Sequence, residues 1–529
     1  MSIETAVQPT PEQAKVIGTK ARRVGVNAYA GTGKTSTAVQ YAQARPQENF
    51  LYMAYNASIA REAKTKFPAW VECRTMHSLA FGAVVPRLFG ELGKPDPARG
   101  VAGWGAKLGD MRPMAIAKAM QINPRMARLI KSTLEAWFCS ADRTVTDSNI
   151  PGDLKVPPSQ RAIVVQGAKD LFAKMCDPKS MEVTLPHDGY LKLWQLTSPD
   201  LSRKYTSIIC DEAQDLNPTV LDILKNQKTG LLVIGDENQA IYQFRGATNA
   251  MREIPVDERH FLTTSFRFGS GVAAVATALL GTFRKIPRPI TGLGKHRTTQ
   301  FDIDQSQTFC TISRTNAALF DAAVSNLDSG KPYHFVGGTE KYRFDMMMDA
   351  FYLMTGEHHL IKDAAIKQFT TLADLKNAAE DTDDRELKFL AKIAETYGER
   401  IPELIEELKS RHDSAATPKS LKGGIVFTTA HSSKGLEFEQ VVLTEDYFEL
   451  TDDKEILLPA DKVPEEELNL LYVAATRAER ALQLNESIRS LLRAVQRMSD
   501  ANKTARSATH SQQQSDAGTG KQTSLSARH

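Results

Sequence analysis

The octet Ala28-Tyr29-Ala30-Gly31-Thr32-Gly33-Lys34-Thr35 constrains this chain more than any other stretch. It grows out of an apolar, β-branched run at residues 24–29 and leads into a helix-like run at 36–44. It fits the pattern G-x-x-x-x-G-K-[ST], with Ala28 standing where the first glycine is usual. Small residues at such a turn let successive backbone N–H groups curl round phosphate oxygens, and the following helix adds the positive end of its dipole. Ala30, Gly31, Thr32, Gly33, Lys34, Thr35 and Ser36 are therefore the candidate phosphate-binding residues. Lys34 would reach the β- and γ-phosphates of ATP, and the Thr35 hydroxyl would coordinate Mg²⁺. The rival explanation is a glycine-rich turn with a chance Lys-Thr, which has no need of a strand before it and a helix after it.

A second piece of the same chemistry lies at Ile208-Ile209-Cys210-Asp211-Glu212-Ala213-Gln214-Asp215, an apolar strand ending in two carboxylates. Ligands of parallel α/β sheets bind beyond the carboxyl ends of the strands. Asp211 is the candidate metal ligand and Glu212 the candidate general base for an attacking water. Further short apolar runs at residues 50–55, 206–210 and 230–235, and then at 308–312, 424–429, 440–444 and 481–484, read as strands buried on both faces. They alternate with helix-like stretches and fall in two clusters, so two parallel α/β domains are expected. Residues 86–179 and 344–412 lack such runs and read as helical, for example at 120–137, 384–394 and 402–409. Residues 414–424, with Pro418, Gly423 and Gly424, read as the loop leading back into a sheet.

The expected architecture is α/β: two RecA-like parallel-sheet domains of a P-loop NTPase, with two largely helical insertions and a disordered C-terminal tail. Residues 1–85 and 181–260 form the first domain around an insertion at 86–180. Residues 261–343 and 423–497 form the second around a short insertion at 344–422. Residues 498–529 are rich in Ser, Thr, Gln and Ala and cannot bury enough surface to fold. Within them, Gly518-Thr519-Gly520-Lys521-Gln522-Thr523 imitates a phosphate loop without a strand before it.

Lys and Arg total 66 against 63 Asp and Glu, a net charge of +3, which excludes a charge-saturated polyanion binder but not a local basic groove. No apolar run approaches the roughly 18 residues of a membrane span, and the first ten residues carry no signal pattern. Five scattered cysteines, none spaced C-x-x-C, argue against zinc or iron–sulfur and fit a reducing cytoplasmic or nuclear interior.

Beyond these pieces the blocks run in a familiar order. After Asp211-Glu212-Ala213-Gln214-Asp215 comes Gly235-Asp236-Glu237-Asn238-Gln239-Ala240-Ile241-Tyr242-Gln243-Phe244-Arg245-Gly246-Ala247. Then follow Ser265-Phe266-Arg267, Arg314-Thr315-Asn316 and Thr429-Ala430-His431-Ser432-Ser433-Lys434-Gly435-Leu436-Glu437-Phe438. The series closes with Glu466-Glu467-Leu468-Asn469-Leu470-Leu471-Tyr472-Val473-Ala474-Ala475-Thr476-Arg477-Ala478. The series resembles the UvrD/Rep/PcrA branch of superfamily 1 DNA helicases. Thr75-Met76-His77-Ser78-Leu79-Ala80-Phe81, His187-Asp188-Gly189-Tyr190-Leu191-Lys192-Leu193-Trp194 and Asn469-Leu470-Leu471-Tyr472-Val473 look most like the helicase core of the F-box DNA helicase and its prokaryotic and phage relatives. Only twelve residues precede Gln13, which leaves no room for an F-box, so a compact helicase-only relative is expected.

The resemblance implies roles at matching positions. Gln13 would read the adenine, Gln239 would sense the γ-phosphate, and Glu437 would accept from the ribose. Arg267 and Arg477, coming from the two domains, would neutralise charge on the transferring phosphoryl group. Phe244, where relatives commonly carry Trp, would stack on a base. Asn56, Thr75, His77, Tyr190, Tyr242, Arg245, Thr429 and His431 would be further DNA contacts. Core packing is an even rival for Tyr242, and a structural histidine for His77 and His431. Ala240 stands where Ser is common, and Leu468 and Asn469 replace paired arginines of several bacterial relatives. The implied activity is an ATP- and Mg²⁺-dependent helicase or translocase moving 3′ to 5′ on single-stranded DNA and at junctions with duplex, in replication, repair or recombination, with no membrane partner. The rival readings are an ATPase switch that strips recombinase without productive unwinding, a nucleotide-gated scaffold working with a nuclease, and a motor on RNA.

Overall fold

A computed structural model describes residues 8–242, 249–299, 301–363, 365–381 and 384–519. Phe244 and Arg245 lie outside the described residues. The chain divides into two compact units, Met1–Thr263 and Thr264–His529.

The first unit is built on β1 (Arg23–Ala28), β2 (Phe50–Met53), β3 (Val71–Arg74), β4 (Ser207–Cys210), β5 (Gly230–Gly235) and β6 (Glu258–Leu262). They pair in the order β3-β2-β4-β5-β1-β6, every neighbour parallel. β2, β4 and β5 are buried at every position, as runs covered on both faces must be. Alternate residues divide between two cores. Phe50, Tyr52, Ile209, Leu232 and Ile234 join the helices that follow β1 and β2. Leu51, Met53, Ile208, Cys210, Leu231 and Val233 join the inserted helices.

That second core redefines the insertion. Residues 86–180 carry the helices Pro113–Met120, Pro124–Phe138 and Pro158–Cys176 and no strand among the described residues. Their buried Ile130, Leu134, Trp137, Val164 and Leu171 share one hydrophobic cluster with the sheet. The single helix expected over 120–137 is two, because Gln121 turns left-handed (φ 54°) and Asn123 caps a new helix with Pro124 in its first turn. Buried Lys192, at 0 % exposure, donates to the Ser140 carbonyl at 2.8 Å and lies over the Trp137 ring. Burial pushes its ammonium down to about 8.

The second unit opens with the short parallel pair β7 (Thr264–Ser265) and β8 (Thr291–Gly292). Its main sheet consists of β9 (Phe309–Ser313), β10 (Tyr333–Phe335), β11 (Ile425–Thr429), β12 (Phe438–Leu443) and β13 (Ala478–Gln483), ordered β10-β11-β9-β12-β13 and again all parallel. The helices Phe344–Thr355, Leu372–Asp381, Arg385–Tyr397 and Ile401–Arg411 form the second insertion and bury Met347, Leu390, Ile405 and Leu408 against Phe335 and Phe427 of the sheet. A last helix runs Glu486–Thr519, and among its described side chains the last buried one is Ala494. Beyond Ala494 the described side chains add nothing to the core, in keeping with their composition.

Candidate nucleotide and nucleic-acid site

Parallel pairing brings the carboxyl ends of the first sheet to one edge: Ala28 lies opposite Leu262, Asn27 opposite Gly235, Val233 opposite Cys210, and Cys210 opposite Met53. The phosphate loop leaves β1 at this edge. Gly31 and Gly33 take φ values of 73° and 79°, a left-handed conformation that a side chain resists. Gly33 caps the helix Lys34–Gln43 without a side chain to cover its first N–H groups. Thr32 turns inward, its hydroxyl donating to the Tyr29 carbonyl at 2.8 Å.

Lys34 Nζ lies 3.7 Å from Glu212 Oε1. Asp211 is 5 % exposed and accepts the Tyr52 hydroxyl at 2.6 Å. Burial, with Glu212 adding to it, pushes the Asp211 carboxyl up to about 6 against the opposing pull of Lys34 and the Tyr52 hydrogen bond. Glu212 sits at φ 50°, a left-handed position costly for a non-glycine residue and common at working sites. Its carboxylate accepts Gln214 Nε2 at 2.6 Å. Gln214 in turn takes the backbone N–H of Asp236 at 3.1 Å, and Asp236 accepts Gln239 Nε2 at 2.8 Å. One chain of hydrogen bonds thus joins the candidate base to the candidate γ-phosphate sensor. Tyr52, Gln214 and Asp236 are the members that sequence reasoning passed over. Gln214 stands inside the acidic block and Asp236 directly beyond a strand, so both were open to inference; Tyr52 sits in a wholly apolar run and gave no sign.

Gln13 is buried and fully in contact with its surroundings. Its Oε1 accepts the Thr10 N–H at 2.9 Å in a capping box, and its Nε2 donates to the Thr32 carbonyl at 3.3 Å. The helix-start role and a place against the phosphate loop are therefore both real. One lone pair and one N–H of the amide remain for a base.

The candidate nucleic-acid residues of this unit lie further along the same edge. Asn56 follows β2 and caps the helix Ala57–Lys66, and Thr75 follows β3 and caps Met76–Phe89. From β1 to β3 is four strand spacings, about 19 Å. His77 pairs with Asp188, Nε2 to Oδ1 2.9 Å. Tyr190, 3 % exposed, bonds His187 through its hydroxyl and packs edge-on against His77 and Phe81. A cavity of about 330 Å³ has residues of both regions in its lining, among them Asp211, Asp215, His77, Asp188 and Tyr242.

In the second unit the candidates fall at opposite edges of the sheet. Thr429 ends β11, caps the short helix Ala430–Ser433 and lies near His431, whose Nε2 is 3.8 Å from Glu466. Glu437 and Arg477 instead immediately precede β12 and β13, at the amino edge. There Arg267 donates to Glu437 at 2.6 Å and to the Thr476 carbonyl at 3.1 Å. Burial works to raise the Glu437 carboxyl, but Arg267 and then Arg477 outweigh it and hold it below the usual range. Arg477, 1 % exposed, donates to the carbonyls of Val473 and Leu436. The expectation that the two arginines come from different domains is corrected by this placement. Both belong to the second unit, because the first closes with β6 and Thr263 before Arg267 is reached. Missed here was Asp446, which accepts the backbone N–H groups of Arg314 and Thr315; Glu467, in the closing block but given no role there, takes the Arg314 guanidinium at 2.8 Å.

Two all-parallel sheets with a phosphate loop and strand-end carboxylates define a P-loop NTPase with two RecA-like units. The chain carries the domain architecture of the UvrD/Rep/PcrA-like superfamily 1 helicases and is related to the F-box DNA helicases. Residues 144–253 match the UvrD/REP helicase N-terminal domain and residues 273–487 the UvrD-like helicase C-terminal domain. The phosphate loop precedes both stretches. F-box DNA helicase 1 of Gallus gallus is 32% identical over 523 residues, 92% of this chain and 50% of its own length. F-box DNA helicase protein 1 of Schizosaccharomyces pombe is 29% identical over 510 residues, 88% of this chain and 56% of its own. DNA helicase IV of Escherichia coli is 34% identical over 112 residues, 18% of this chain and 16% of its own. The chain thus spans about half the length of the two F-box relatives. Among the described residues no helix is long and apolar enough to cross a membrane, and no cluster of three or more His, Cys, Asp or Glu could hold a metal.

Proposed function

We propose that this chain is an ATP-driven motor that moves 3′ to 5′ along single-stranded DNA and displaces a paired strand or bound protein, in replication, repair or recombination. The observation that carries it is Lys34 held 3.7 Å from Glu212 at the mouth of a left-handed glycine loop. A phosphate-binding cation and a water-polarising carboxylate share one edge and restrain each other until phosphate arrives. The DNA assignment draws on the helicase names of the relatives and on the capped helix starts at Asn56, Thr75 and Thr429.

The loop amides around Gly31 and Gly33 receive the phosphates, and Lys34 turns from Glu212 to the transferring group. Glu212, released, takes a proton from the attacking water, its orientation fixed by Gln214. Thr35 and Asp211 offer only hard oxygen donors, which suit Mg²⁺; one or two carboxylates suffice for this ion, so a three-residue cluster is not required. Bound there, Mg²⁺ would supply neutralisation of phosphate charge. Gln239 registers the γ-phosphate, and Arg267 and Arg477 stabilise developing charge. Gln13 and Glu437 hold base and ribose. Asn56, Thr75, His77, Tyr242, Thr429 and His431, with Phe244 and Arg245, grip the strand.

The test is steady-state ATP hydrolysis without nucleic acid and with single-stranded DNA, duplex DNA or single-stranded RNA, followed by strand displacement on tailed duplexes. Stimulation by single-stranded DNA, absent in Lys34→Ala, is expected. Hydrolysis indifferent to every nucleic acid would sink the motor, and stimulation without displacement would favour an ATPase switch.

A further inference from the structure

β2 reads Phe50-Leu51-Tyr52-Met53 and is buried at every position, so three apolar side chains share the strand with one phenol. Packing alone does not call for the hydroxyl. Tyr52 is 0 % exposed, and its ring centre lies 4.5 Å from that of Phe67, in the core that also takes Phe50 and Ile209. A phenylalanine would fill the same space without burying an oxygen, and a buried hydroxyl costs free energy unless it is hydrogen-bonded. Among the described residues its hydrogen bond is the one to Asp211 Oδ2, at 2.6 Å. The hydroxyl therefore serves the carboxylate rather than the core.

Register explains why a side chain of this length is needed. Tyr52 lies opposite Ile209 in the parallel pairing of β2 with β4, and Asp211 stands two residues beyond Ile209. Two residues of strand cover about 6.6 Å, a gap that a phenol ring spans and a short polar side chain does not. The second oxygen of Asp211 is held differently: Oδ1 accepts the backbone N–H of Glu212 at 2.9 Å. Each oxygen thus takes one donor, one from a neighbouring strand and one from its own chain. Both donors are neutral groups, since Lys34 pairs with Glu212 at 3.7 Å. The carboxylate is fixed in orientation while its charge is left for a cation. A carboxylate offers about four acceptor sites, so roughly two remain. Groups that hydrogen-bond a ligating carboxylate orient it, and losing one typically weakens metal affinity about 10- to 100-fold.

We infer that Tyr52 is a positioning residue for the metal: its hydroxyl, reaching from β2, holds the Asp211 carboxylate in the orientation in which its remaining lone pairs take Mg²⁺. This rests on the reading of Asp211 as a ligand of the nucleotide-bound ion and adds the group that aims it. The test titrates Mg²⁺ into the full chain with a non-hydrolysable ATP analogue at fixed concentration. Binding is followed as the rise in melting temperature of each variant above its own metal-free value, so no turnover is read. Tyr52→Phe removes one oxygen and keeps the ring, and its Mg²⁺ concentration at half-effect should rise about 10- to 100-fold. Analogue affinity in EDTA should match wild type, because the loop at Gly31 and Gly33 is untouched. Tyr52→Phe should add nothing to Asp211→Asn, since the hydroxyl acts through that carboxylate. An unchanged Mg²⁺ requirement in Tyr52→Phe overturns the proposal and leaves the hydroxyl a purely structural role. An equal loss of analogue affinity with and without Mg²⁺ overturns it as well, because the substitution has then disturbed the phosphate loop. So does a further Mg²⁺ shift when Tyr52→Phe is added to Asp211→Asn. Asp211→Asn with a wild-type Mg²⁺ requirement would instead sink the assignment of the metal to Asp211.

Discussion

Gln214 shows how much one side chain decides here. Its amide donates to Glu212 and to Asp215 and accepts from the Asp236 backbone, with 1 % exposure. Gly235 makes room for it: a Cβ there would sit 2.4 Å from Gln214 Oε1 and 3.1 Å from the Ala213 backbone nitrogen. Gln214→Ala strands a buried N–H and releases the candidate base, so it should cost about 1–3 kcal/mol of stability. It should also lower ATP turnover while nucleotide affinity is kept. Gly235→Ala drives the same amide out of place without removing it, and a turnover defect matching that of Gln214→Ala is expected. Turnover unaffected in both, measured beside thermal unfolding, would confine Gln214 to a packing role. Arg267 and Arg477 separate in the same way. Arg267→Ala leaves the core whole, and its loss should cut hydrolysis by about 10³-fold or more with little change in nucleotide affinity. Arg477→Ala removes a buried guanidinium from two backbone carbonyls, so a drop in melting temperature should accompany the kinetic loss.

Elements explain what the sequence could reveal and what it could not. The interior strands β1, β2, β4, β5, β9 and β11 are legible as apolar runs because both faces are covered. The strands that escape are β3, β6 and β10 at sheet edges and the two-residue pair β7 and β8. β6, Glu-Arg-His-Phe-Leu, is exposed over its first residues and carries no hydrophobic run to notice. The phosphate loop and Asp211-Glu212 were readable because their chemistry sits on consecutive residues. Gln214 and Asp236 each stand beside a readable block, but their contact with one another, like the Arg314–Glu467 pair, was not readable, since the partners meet only when strands align. The same holds for Glu386, at the start of the inserted helix Arg385–Tyr397. Its Oε2 accepts the Asn316 N–H at 3.3 Å, at the start of Asn316–Ser325, while its Oε1 is buried without a hydrogen-bond partner. Burial raises the carboxyl to about 7, with Asp446 adding and the backbone N–H groups and Arg314 opposing. A folded pKa above the unfolded value means the native state holds the proton more tightly. Its stabilising effect is complete below the unfolded pKa and is lost as pH rises through 7. Denaturant unfolding of wild type and Glu386→Gln at pH values from 5 to 8 should therefore converge in the acid range and diverge towards pH 8, with the variant the more stable there. Parallel curves would show that Glu386 is ionised throughout.

At the scale of the whole molecule, each described hydrophobic cluster stays within one unit: two lie in Met1–Thr263 and one in Thr264–His529. Both helical insertions join the core of their host sheet rather than building their own, so a destabilised insertion unfolds its unit. Trp137→Ala, in the first insertion, should cost about 3–5 kcal/mol to the whole first unit. Two compact units predict two calorimetric transitions. The phosphate loop and its carboxylates belong wholly to the first unit, which gives that transition a ligand dependence of its own. Nucleotide at 100 times its Kd should stabilise the binding unit by about 2.7 kcal/mol. The transition that Trp137→Ala lowers should be the one that nucleotide raises, and Lys34→Ala should abolish that rise while leaving both transitions in place without ligand. A nucleotide shift that survives Lys34→Ala would mean the loop at Gly31 and Gly33 is not where phosphate binds.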